Sequence, residues 1–292
     1  MLPIAAARAA TPWPEECKLE RQASLPFVIA NGHIQIEVAL NGVPRHFMVD
    51  TGGLMSSVTE AVVAEQKLGT FPIRDDLKIA GIGGERTRRY AIADTLTFAK
   101  LKAPDVRLLI APSLAAGEDG VLAPDYLRNF DVDIDFADKT LNLFRPHRCD
   151  GDVAYWGGPT VALPMTVTDT GHIRVPATLD GAELEATVDT GSPNSLIGAR
   201  TVAIKFNMDA GKGDITIRGG TGGTTTAAAK RFDELGLGGA KIKNPPLLVT
   251  AEETAWRSDY SDLLLGLREL SMFHVYIAYR ERKLYLSPLP AQ

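Results

Sequence analysis

The segment HFMVDTGG, residues 46–53, places an aspartate directly after an apolar run. An unpaired carboxylate at the end of a buried strand is costly, because a buried charge needs a partner. A second segment, ATVDTGS at residues 186–192, repeats the arrangement. The two aspartates are Asp50 and Asp189, and the sequences that flank them decide whether the repetition is chance or duplication.

The flanks of the two aspartates repeat as well. GHIQIEVALNGVPRHFMVDTG (32–52) aligns without a gap with GHIRVPATLDGAELEATVDTG (171–191), and nine of the 21 positions are identical. Apolar residues alternate in both copies, which is the period of a half-buried strand. Asn41-Gly42 and Asp180-Gly181 then supply the positive-φ residues of a tight hairpin turn. Each copy therefore predicts two paired strands, the second of which delivers the aspartate.

Two later pairs of segments extend the duplication. The glycine-rich segments IAGIGGER (79–86) and IRGGTGGT (217–224) follow their aspartates at matching distances. DGVLAPDYLRNFDVDIDFADKTLNL (119–143) then matches DLLLGLRELSMFHVYIAYRERKLYL (262–286) at a slightly larger offset, and each copy is typical of a buried strand, a short helix and a hairpin. The sequence therefore predicts a two-lobed, mainly β protein from an internal duplication with few short helices. We divide it into an N-terminal segment (1–23), a first lobe (24–148), a linker (149–161) and a second lobe (162–292).

Composition excludes several classes of partner. The formal net charge is −5 with no long basic block, which argues against binding to nucleic acid or to anionic membranes. No apolar run is long enough to cross a bilayer, so we expect no membrane span. The N-terminal MLPIAAARAATPWP resembles the tail of a secretory signal, which predicts a periplasmic or secreted protein. Cys17 and Cys149 are then candidates for a disulfide, with two unrelated buried thiols as the alternative.

Two D-T-G triplets, each followed by a glycine-rich hairpin and then by an apolar strand and short helix, resemble the aspartic peptidases. The closest resemblance is to the retropepsin-like branch, here with both lobes in one chain, and it covers residues 24–288. It implies a pepsin- or retropepsin-like acid protease β-barrel fold. The segment GIGG (81–84) is similar to the flap tip of retroviral proteases.

The resemblance also implies roles for individual residues. It identifies Asp50 and Asp189 as the catalytic carboxylates, supported by Thr51, Gly52, Gly53, Thr190, Gly191 and Ser192. It identifies the substrate-covering flaps as Gly81, Ile82, Gly83 and Gly84 in the first copy and Gly219, Gly220, Thr221, Gly222 and Gly223 in the second. Gly53 and Ala123 depart from the family pattern, whereas Ser192 and Gly266 conform. We expect the Ser192 hydroxyl to donate a hydrogen bond to Asp189 and Gly53 to offer Asp50 no equivalent.

Pairing of the two aspartates gives them a physical purpose. Two carboxylates about 4 Å apart repel by roughly 4 kcal/mol at an effective dielectric near 20, so they share one proton over a wide acidic range. The ionised partner can activate a water while the protonated one donates to a carbonyl oxygen. Together with this chemistry, the resemblance implies an aspartic endopeptidase that acts as a monomer on extended peptide or protein segments and needs no cofactor and no metal.

Two alternatives remain at this point. The departures at Gly53 and Ala123 suit a peptide-binding module of the same fold with impaired catalysis. A metal-dependent hydrolase would use the aspartates as ligands, but the five histidines show no metal-ligand spacing. The acidic run DVDIDFAD (131–138) superficially suggests calcium ligands; because its aspartates alternate with apolar residues, we interpret it as a strand with one solvent-facing side.

Overall fold

The computed structural model describes residues 19–74, 79–80, 86–112, 114–146, 153–218, 223–250 and 261–289. Within these residues the protein is mainly β with four short helices, as predicted. The longest helix among them, Ala199–Phe206, has eight residues. None of the helices in the described part of the chain has the length and hydropathy that a membrane span requires.

The first repeat contributes twelve strands and two helices in the described residues. The strands are β1 Arg21–Ala30, β2 His33–Leu40, β3 Val43–Val49, β4 Ser57–Thr59, β5 Gly69–Pro72, β6 Ile79–Ala80, β7 Arg86–Thr87, β8 Arg89–Phe98, β9 Leu101–Ala111, β10 Gly120–Leu122, β11 Asp131–Asp135 and β12 Thr140–Phe144. The helices are α1 Glu60–Glu65 and α2 Pro124–Leu127.

The second repeat contributes thirteen strands and two helices in the part of the chain that is described. The strands are β13 Val161–Pro164, β14 Thr166–Val167, β15 Ile173–Leu179, β16 Ala182–Val188, β17 Leu196–Gly198, β18 Ile215–Arg218, β19 Thr224–Arg231, β20 Glu234–Leu237, β21 Ala240–Lys243, β22 Pro246–Thr250, β23 Leu263–Leu265, β24 Phe273–Ala278 and β25 Lys283–Pro288. The helices are α3 Ala199–Phe206 and α4 Leu267–Leu270.

The predicted hairpins form in both repeats. Strands β2 and β3 pair antiparallel up to Leu40 and Val43, and β15 and β16 pair up to Leu179 and Ala182. The turn residues Asn41 and Gly42 have φ of 51° and 81°, a conformation that asparagine and glycine adopt at low cost. The alternating apolar residues face the core as expected, and all eight are buried: Ile34, Ile36, Val38, Leu40, Ile173, Val175, Ala177 and Leu179.

Strand pairing follows the duplication residue by residue. The strand that delivers each aspartate pairs in parallel with the short apolar strand before the second helix of its repeat. Leu122 of β10 lies opposite Val49 of β3, and Leu265 of β23 lies opposite Val188 of β16. The sequence alignment of the repeats matches Val49 with Val188 and Leu122 with Leu265, so the two registers coincide. The alignment found in the sequence therefore describes the three-dimensional pairing.

A six-stranded antiparallel sheet joins the two repeats, in the order β13–β25–β24–β11–β12–β1. At its centre, β11 of the first repeat pairs with β24 of the second, and Asp133 lies opposite Tyr276. The main apolar core also contains residues of both repeats. The division into lobes at 24–148 and 162–292 remains a prediction; β1 begins at Arg21 and β13 at Val161.

The interpretation of residues 131–138 as a strand with a solvent-facing side is wrong in its second part. β11 forms, but the carboxyl groups of Asp131 and Asp133 are buried. Asp133 accepts hydrogen bonds from Asn142 Nδ2 at 2.8 Å and from the Tyr155 hydroxyl at 2.6 Å, and it contacts His274 Nε2. β11 lies inside the joining sheet, where polar side chains from distant segments replace water.

Candidate active site

Equivalent strand ends deliver the two aspartates. Asp50 follows β3 and Asp189 follows β16. The backbone N–H of Asp50 donates to the carbonyl of Leu122 at 3.0 Å, and that of Asp189 donates to the carbonyl of Leu265 at 3.0 Å. The parallel partner strand therefore fixes the backbone at each aspartate.

The two threonines of the D-T-G triplets form a reciprocal set of hydrogen bonds. The Thr51 hydroxyl donates to the carbonyl of Val188 at 2.8 Å and accepts from the backbone N–H of Thr190 at 3.1 Å. The Thr190 hydroxyl donates to the carbonyl of Val49 at 2.8 Å and accepts from the N–H of Thr51 at 3.1 Å. Both threonines are fully buried, so the four bonds are shielded from water. Each repeat thereby holds the aspartate-bearing strand of the other.

The two glycines of the triplets allow the carboxyl groups to meet. The N–H of Gly52 donates to Asp50 Oδ1 at 2.9 Å, and the N–H of Gly191 donates to Asp189 Oδ1 at 2.9 Å. A Cβ atom at position 52 would lie 2.3 Å from Cγ of Asp189, and one at position 191 would lie 2.3 Å from Cγ of Asp50. A side chain at either position is therefore excluded. Asp50 and Asp189 share a hydrogen bond, and we call this pair the dyad.

Burial raises the pKa of both members of the dyad above the ordinary range of a carboxyl group. The negative charge of Asp50 and its hydrogen bond raise the pKa of Asp189 further, well above its usual value. The pKa of Asp50 is raised less, because the Asp189 hydrogen bond, backbone N–H groups and the positive charge of His172 favour its ionised form. The two groups titrate together, and because the pKa of Asp189 is raised more than that of Asp50, the pair holds one proton over a pH interval above the ordinary carboxyl range.

The residues that follow the triplets differ from expectation. The Ser192 hydroxyl donates to the carbonyl of Asn194 at 2.7 Å rather than to Asp189, so the expected side-chain bond is not made. The backbone N–H groups of Gly53 and Ser192 act in its place, because each lowers the pKa of the aspartate of its own repeat. The absent hydroxyl at Gly53 therefore does not distinguish the two carboxyls.

Gly53 and Ala123 depart from the family pattern together, and the structure links them. A Cβ atom at position 53 would lie 2.7 Å from Asp50 Oδ2 and 3.3 Å from Cβ of Ala123. In the second repeat the small residue is Gly266, where a Cβ atom would lie 2.4 Å from the carbonyl oxygen of Asn194. The first repeat thus has a side chain at 123 and none at 53, whereas the second repeat has a side chain at 192 and none at 266.

Four polar residues behind the dyad were missed by the sequence interpretation. Ser56 closes the first dyad loop (50–56), and its hydroxyl donates to Asp125 Oδ1 at 2.7 Å. Ser195 closes the second dyad loop (189–195), and its hydroxyl donates to Glu269 Oε2. The two serines occupy equivalent positions of the two repeats, so the repeat alignment could have identified them. The acids occupy different positions in α2 and α4, and no alignment pairs them.

The first hairpin of each repeat reaches the dyad loop region of the other. Gly32 (φ 81°) lies at the β1–β2 turn, and a Cβ atom there would be 2.8 Å from Cβ of Pro193. Gly171 (φ 92°) lies at the β14–β15 turn, and a Cβ atom there would be 2.7 Å from Cβ of Pro124. Arg128 Nη1 also donates to the carbonyl of Asp169 at 3.3 Å, across the same contact.

The predicted flap tips, 81–84 and 219–222, lie outside the described residues, and so do Cys17 and Cys149. The stems of both hairpins are described. β6 and β7 pair from Ile79 and Thr87, and β18 and β19 pair from Ile215 and Ala227. Gly223 is buried directly before β19. The described residues contain no group of three or more histidine, cysteine, aspartate or glutamate side chains that could hold a metal ion.

Comparison with known proteins gives a consistent relationship. The sequence model of the aspartyl protease family matches residues 36–126 and 175–268, so each match contains one D-T-G triplet. The crystal structure of basic 7S globulin from soybean matches 92% of this chain and 95% of that chain, at 11% identity and a TM-score of 0.55. A retropepsin-like aspartic protease from Rickettsia conorii is 22% identical over 44% of this chain and 89% of its own, with a TM-score of 0.33. No curated protein matches the chain. The predicted two-lobed, mainly β fold is confirmed.

Proposed function

Because this chain belongs to the aspartyl protease family, we propose that it is an aspartic endopeptidase whose dyad is Asp50 and Asp189. The observation that carries the proposal is the direct contact of two carboxyl groups, Asp189 buried and Asp50 partly buried, held by reciprocal hydrogen bonds of Thr51 and Thr190. A pair placed in this way retains one acidic proton and one anionic oxygen at the same time. General acid–base hydrolysis needs both.

The chemistry follows from how the proton is divided. Asp189 carries the shared proton, because it is the more deeply buried acid and its ionisation would also oppose the charge of Asp50. Asp50 takes a proton from a water molecule while the oxygen of that water attacks the peptide carbonyl carbon. At the same time, Asp189 donates its proton to the carbonyl oxygen. As the tetrahedral intermediate breaks down and the C–N bond is cleaved, Asp50 passes the proton that it took from water to the leaving nitrogen, and Asp189 recovers a proton from a hydroxyl of the intermediate, so the dyad again holds one proton. The substrate is an extended peptide segment, covered by the two flap hairpins.

Amide substitutions test this assignment. Asp50→Asn and Asp189→Asn should each lower kcat/KM on a peptide library by at least about 1,000-fold, and the double variant should lose little more, since members of one catalytic unit are not additive. Asp138→Asn serves as the control, because Asp138 is an exposed turn residue. A chelator should leave activity unchanged. Substantial turnover in either single variant would refute the dyad.

The second candidate is a peptide-binding module with impaired catalysis. The altered pair Gly53 and Ala123 beside Asp50 favours it, and the fold is shared with a protein that is called a globulin. Binding of library peptides by the wild-type chain without cleavage at any acidic pH would select this function over the first.

We further propose that the protein acts as a monomer in the periplasm or outside the cell and carries a Cys17–Cys149 disulfide. One chain supplies both aspartates, the N-terminal segment is similar to a secretory signal, and such compartments favour disulfides. Titration of thiols in the unfolded, unreduced protein measures the disulfide directly; two free thiols would exclude it.

A further inference from the structure

A buried serine and a carboxyl group lie behind each dyad loop. The Ser56 hydroxyl donates to Asp125 Oδ1 and accepts from the backbone N–H of Ala123 at 2.9 Å. The N–H of Ser56 also donates to Asp125 Oδ1, at 3.0 Å. In the second repeat, Ser195 donates to Glu269 and accepts from the N–H of Gly266 at 2.9 Å. Each serine thus ties the end of a dyad loop to the end of the strand that fixes the aspartate backbone.

The two repeats reach this arrangement with different residues. Asp125 is the second residue of α2, and the equivalent residue of α4 is Arg268. The acid of the second repeat stands one position later, as Glu269, and its additional methylene lets the carboxyl reach back to the serine. Repetition of the contact without repetition of the residue indicates that a carboxyl group is required at this place in each lobe.

We propose that Asp125 and Glu269 are positioning residues of the dyad, because each orients the serine hydroxyl that fixes one dyad loop. This inference rests on the proposed endopeptidase function. It assigns a role to two acids, one partly buried and one buried, that the hydrolytic steps do not use.

The arrangement works without a negative charge. Oδ1 of Asp125 accepts both bonds from Ser56, so Oδ2 can carry a proton while both bonds remain. Burial raises the pKa of both Asp125 and Glu269, which favours the neutral form at acidic pH. The neighbouring titratable groups are Tyr126, whose pKa burial and the Asp125 charge raise to about 12, and Arg268, whose positive charge acts on Glu269.

Paired substitutions separate hydrogen bonding from charge. Asp125→Asn and Glu269→Gln keep a carbonyl acceptor for the serine, so they should retain most of the wild-type kcat with an unchanged acidic limb of the pH profile. Asp125→Ala and Glu269→Ala remove the acceptor and should lower kcat by about 10- to 100-fold with little change in KM, as expected for a misplaced catalytic group. Ser56→Ala should lose as much as Asp125→Ala, and the double variant should be no worse.

A matched control comes from the other end of the same strands. Asp119 accepts a hydrogen bond from the N–H of His46 at 3.0 Å, and the equivalent Asp262 accepts from the N–H of Glu185 at 3.1 Å. Asp119→Ala and Asp262→Ala lose a carboxylate–backbone bond of the same kind away from the dyad, and kcat should not change. Comparable losses in the control and test variants would overturn the proposal.

A readout independent of turnover completes the test. Carboxyl ¹³C NMR of the wild-type protein follows the shared titration of Asp50 and Asp189. That titration should move in Asp125→Ala and Ser56→Ala and stay in place in Asp125→Asn and Asp119→Ala. If the wild-type chain cleaves no peptide but the titration responds in this way, the proposed function fails while the positioning role stands. An unchanged titration in Asp125→Ala and Ser56→Ala, or an amide variant as impaired as its alanine counterpart, would overturn the positioning role.

Discussion

Gly53 and Ala123 form a single local exchange rather than two independent departures. The methyl group of Ala123 lies beside the first dyad loop, in close contact with the place that a side chain at position 53 would occupy. In the second repeat, Gly266 has no side chain, so the second dyad loop packs directly against it, and this loop carries the Ser192 side chain. The side chains at these two positions must therefore be considered together.

Gly53→Ser should lower kcat/KM, because its Cβ atom would lie 2.7 Å from Asp50 Oδ2 and would displace that carboxyl group. Adding Ala123→Gly opens the space that the second repeat uses and should recover part of the activity. We expect a coupling energy of about 0.5–3 kcal/mol between the two changes. Steady-state kinetics of the single and double variants measures it, and strictly additive effects would contradict the exchange.

The types of the dyad residues could be predicted from sequence, but the direction of one hydroxyl could not. Asp50, Thr51 and Gly52 are constrained by contacts with the equivalent triplet of the other repeat, so residue identity implies geometry. The Ser192 hydroxyl instead donates to the carbonyl of Asn194, two residues away, which is a local side-chain-to-backbone bond that a serine forms readily in a loop. The residue type tells that a serine hydroxyl can donate a hydrogen bond, but the conformation of the loop determines which acceptor receives it.

The hairpins carry the next level of prediction. Period-two alternation and the Asn-Gly and Asp-Gly turns were sufficient to predict β2–β3 and β15–β16 with their register. The turns before β2 and before β15 each contact the opposite repeat, Gly32 at Pro193 and Gly171 at Pro124. These contacts were not predictable, because they join residues that are distant in sequence. The buried state of β11 was missed for the same reason, since its partner His274 belongs to the other repeat.

Alanine substitutions at two glycines of the second repeat distinguish the effect of this cross-repeat contact from the cost of a positive φ. Gly171 and Gly181 have φ of 92° and 83°, but a Cβ atom at position 181 would meet nothing within 4 Å. Gly171→Ala and Gly181→Ala should each cost about 1 kcal/mol of unfolding free energy from the positive φ. Only Gly171→Ala should also lower kcat, because it pushes on Pro124 beside Ala123.

Chemical denaturation and steady-state kinetics on the same preparations distinguish the two effects. The first repeat offers the equivalent pair, Gly32→Ala against Gly42→Ala, with Pro193 in place of Pro124. Equal kinetic losses in Gly171→Ala and Gly181→Ala would show that the contact with the opposite repeat has no bearing on the dyad.

The pH dependence of the unfolding free energy follows from the acids of the dyad and of the two contacts behind it. Burial raises the pKa of Asp50, Asp189, Asp125 and Glu269 in the folded protein. A raised folded pKa gives stability that is complete below the unfolded pKa and is lost as the pH rises through the folded value. Glu118 acts in the opposite sense, because hydrogen bonds and the charge of His33 lower its pKa despite burial.

Unfolding free energy should therefore decline between the ordinary carboxyl range and neutral pH, where the four raised acids ionise. It should also decline in strong acid, as Glu118 becomes protonated. Urea denaturation at a series of pH values measures both limbs. The double variant Asp125→Asn/Glu269→Gln should flatten the limb toward neutrality, and Asp138→Asn should not. Stability that increases steadily from acid to neutral pH would contradict this assignment.

The two-lobed architecture could be predicted because the duplication is visible in the chain, but the sheet that joins the lobes could not. β13, β24 and β25 follow the linker in sequence, yet they extend a sheet that begins with β1, β12 and β11. Pairing between the copies depends on long-range contacts for which neither repeat alone contains a signal. The joining sheet therefore contains strands of both repeats, so its boundaries differ from those of the repeats in the sequence.

The pairing of Asp133 with Tyr276 at the centre of that sheet has a consequence for the ancestry of the chain. These positions correspond to each other when 119–143 is aligned with 262–286, so in a homodimer of one ancestral unit the residue would have faced its own copy. An aspartate there would have met an aspartate. In the present chain the two halves differ at this position, and Asp133 has neighbours, Tyr276 and His274, that its own half does not encode. At the centre of the joining sheet the two halves are therefore complementary rather than identical.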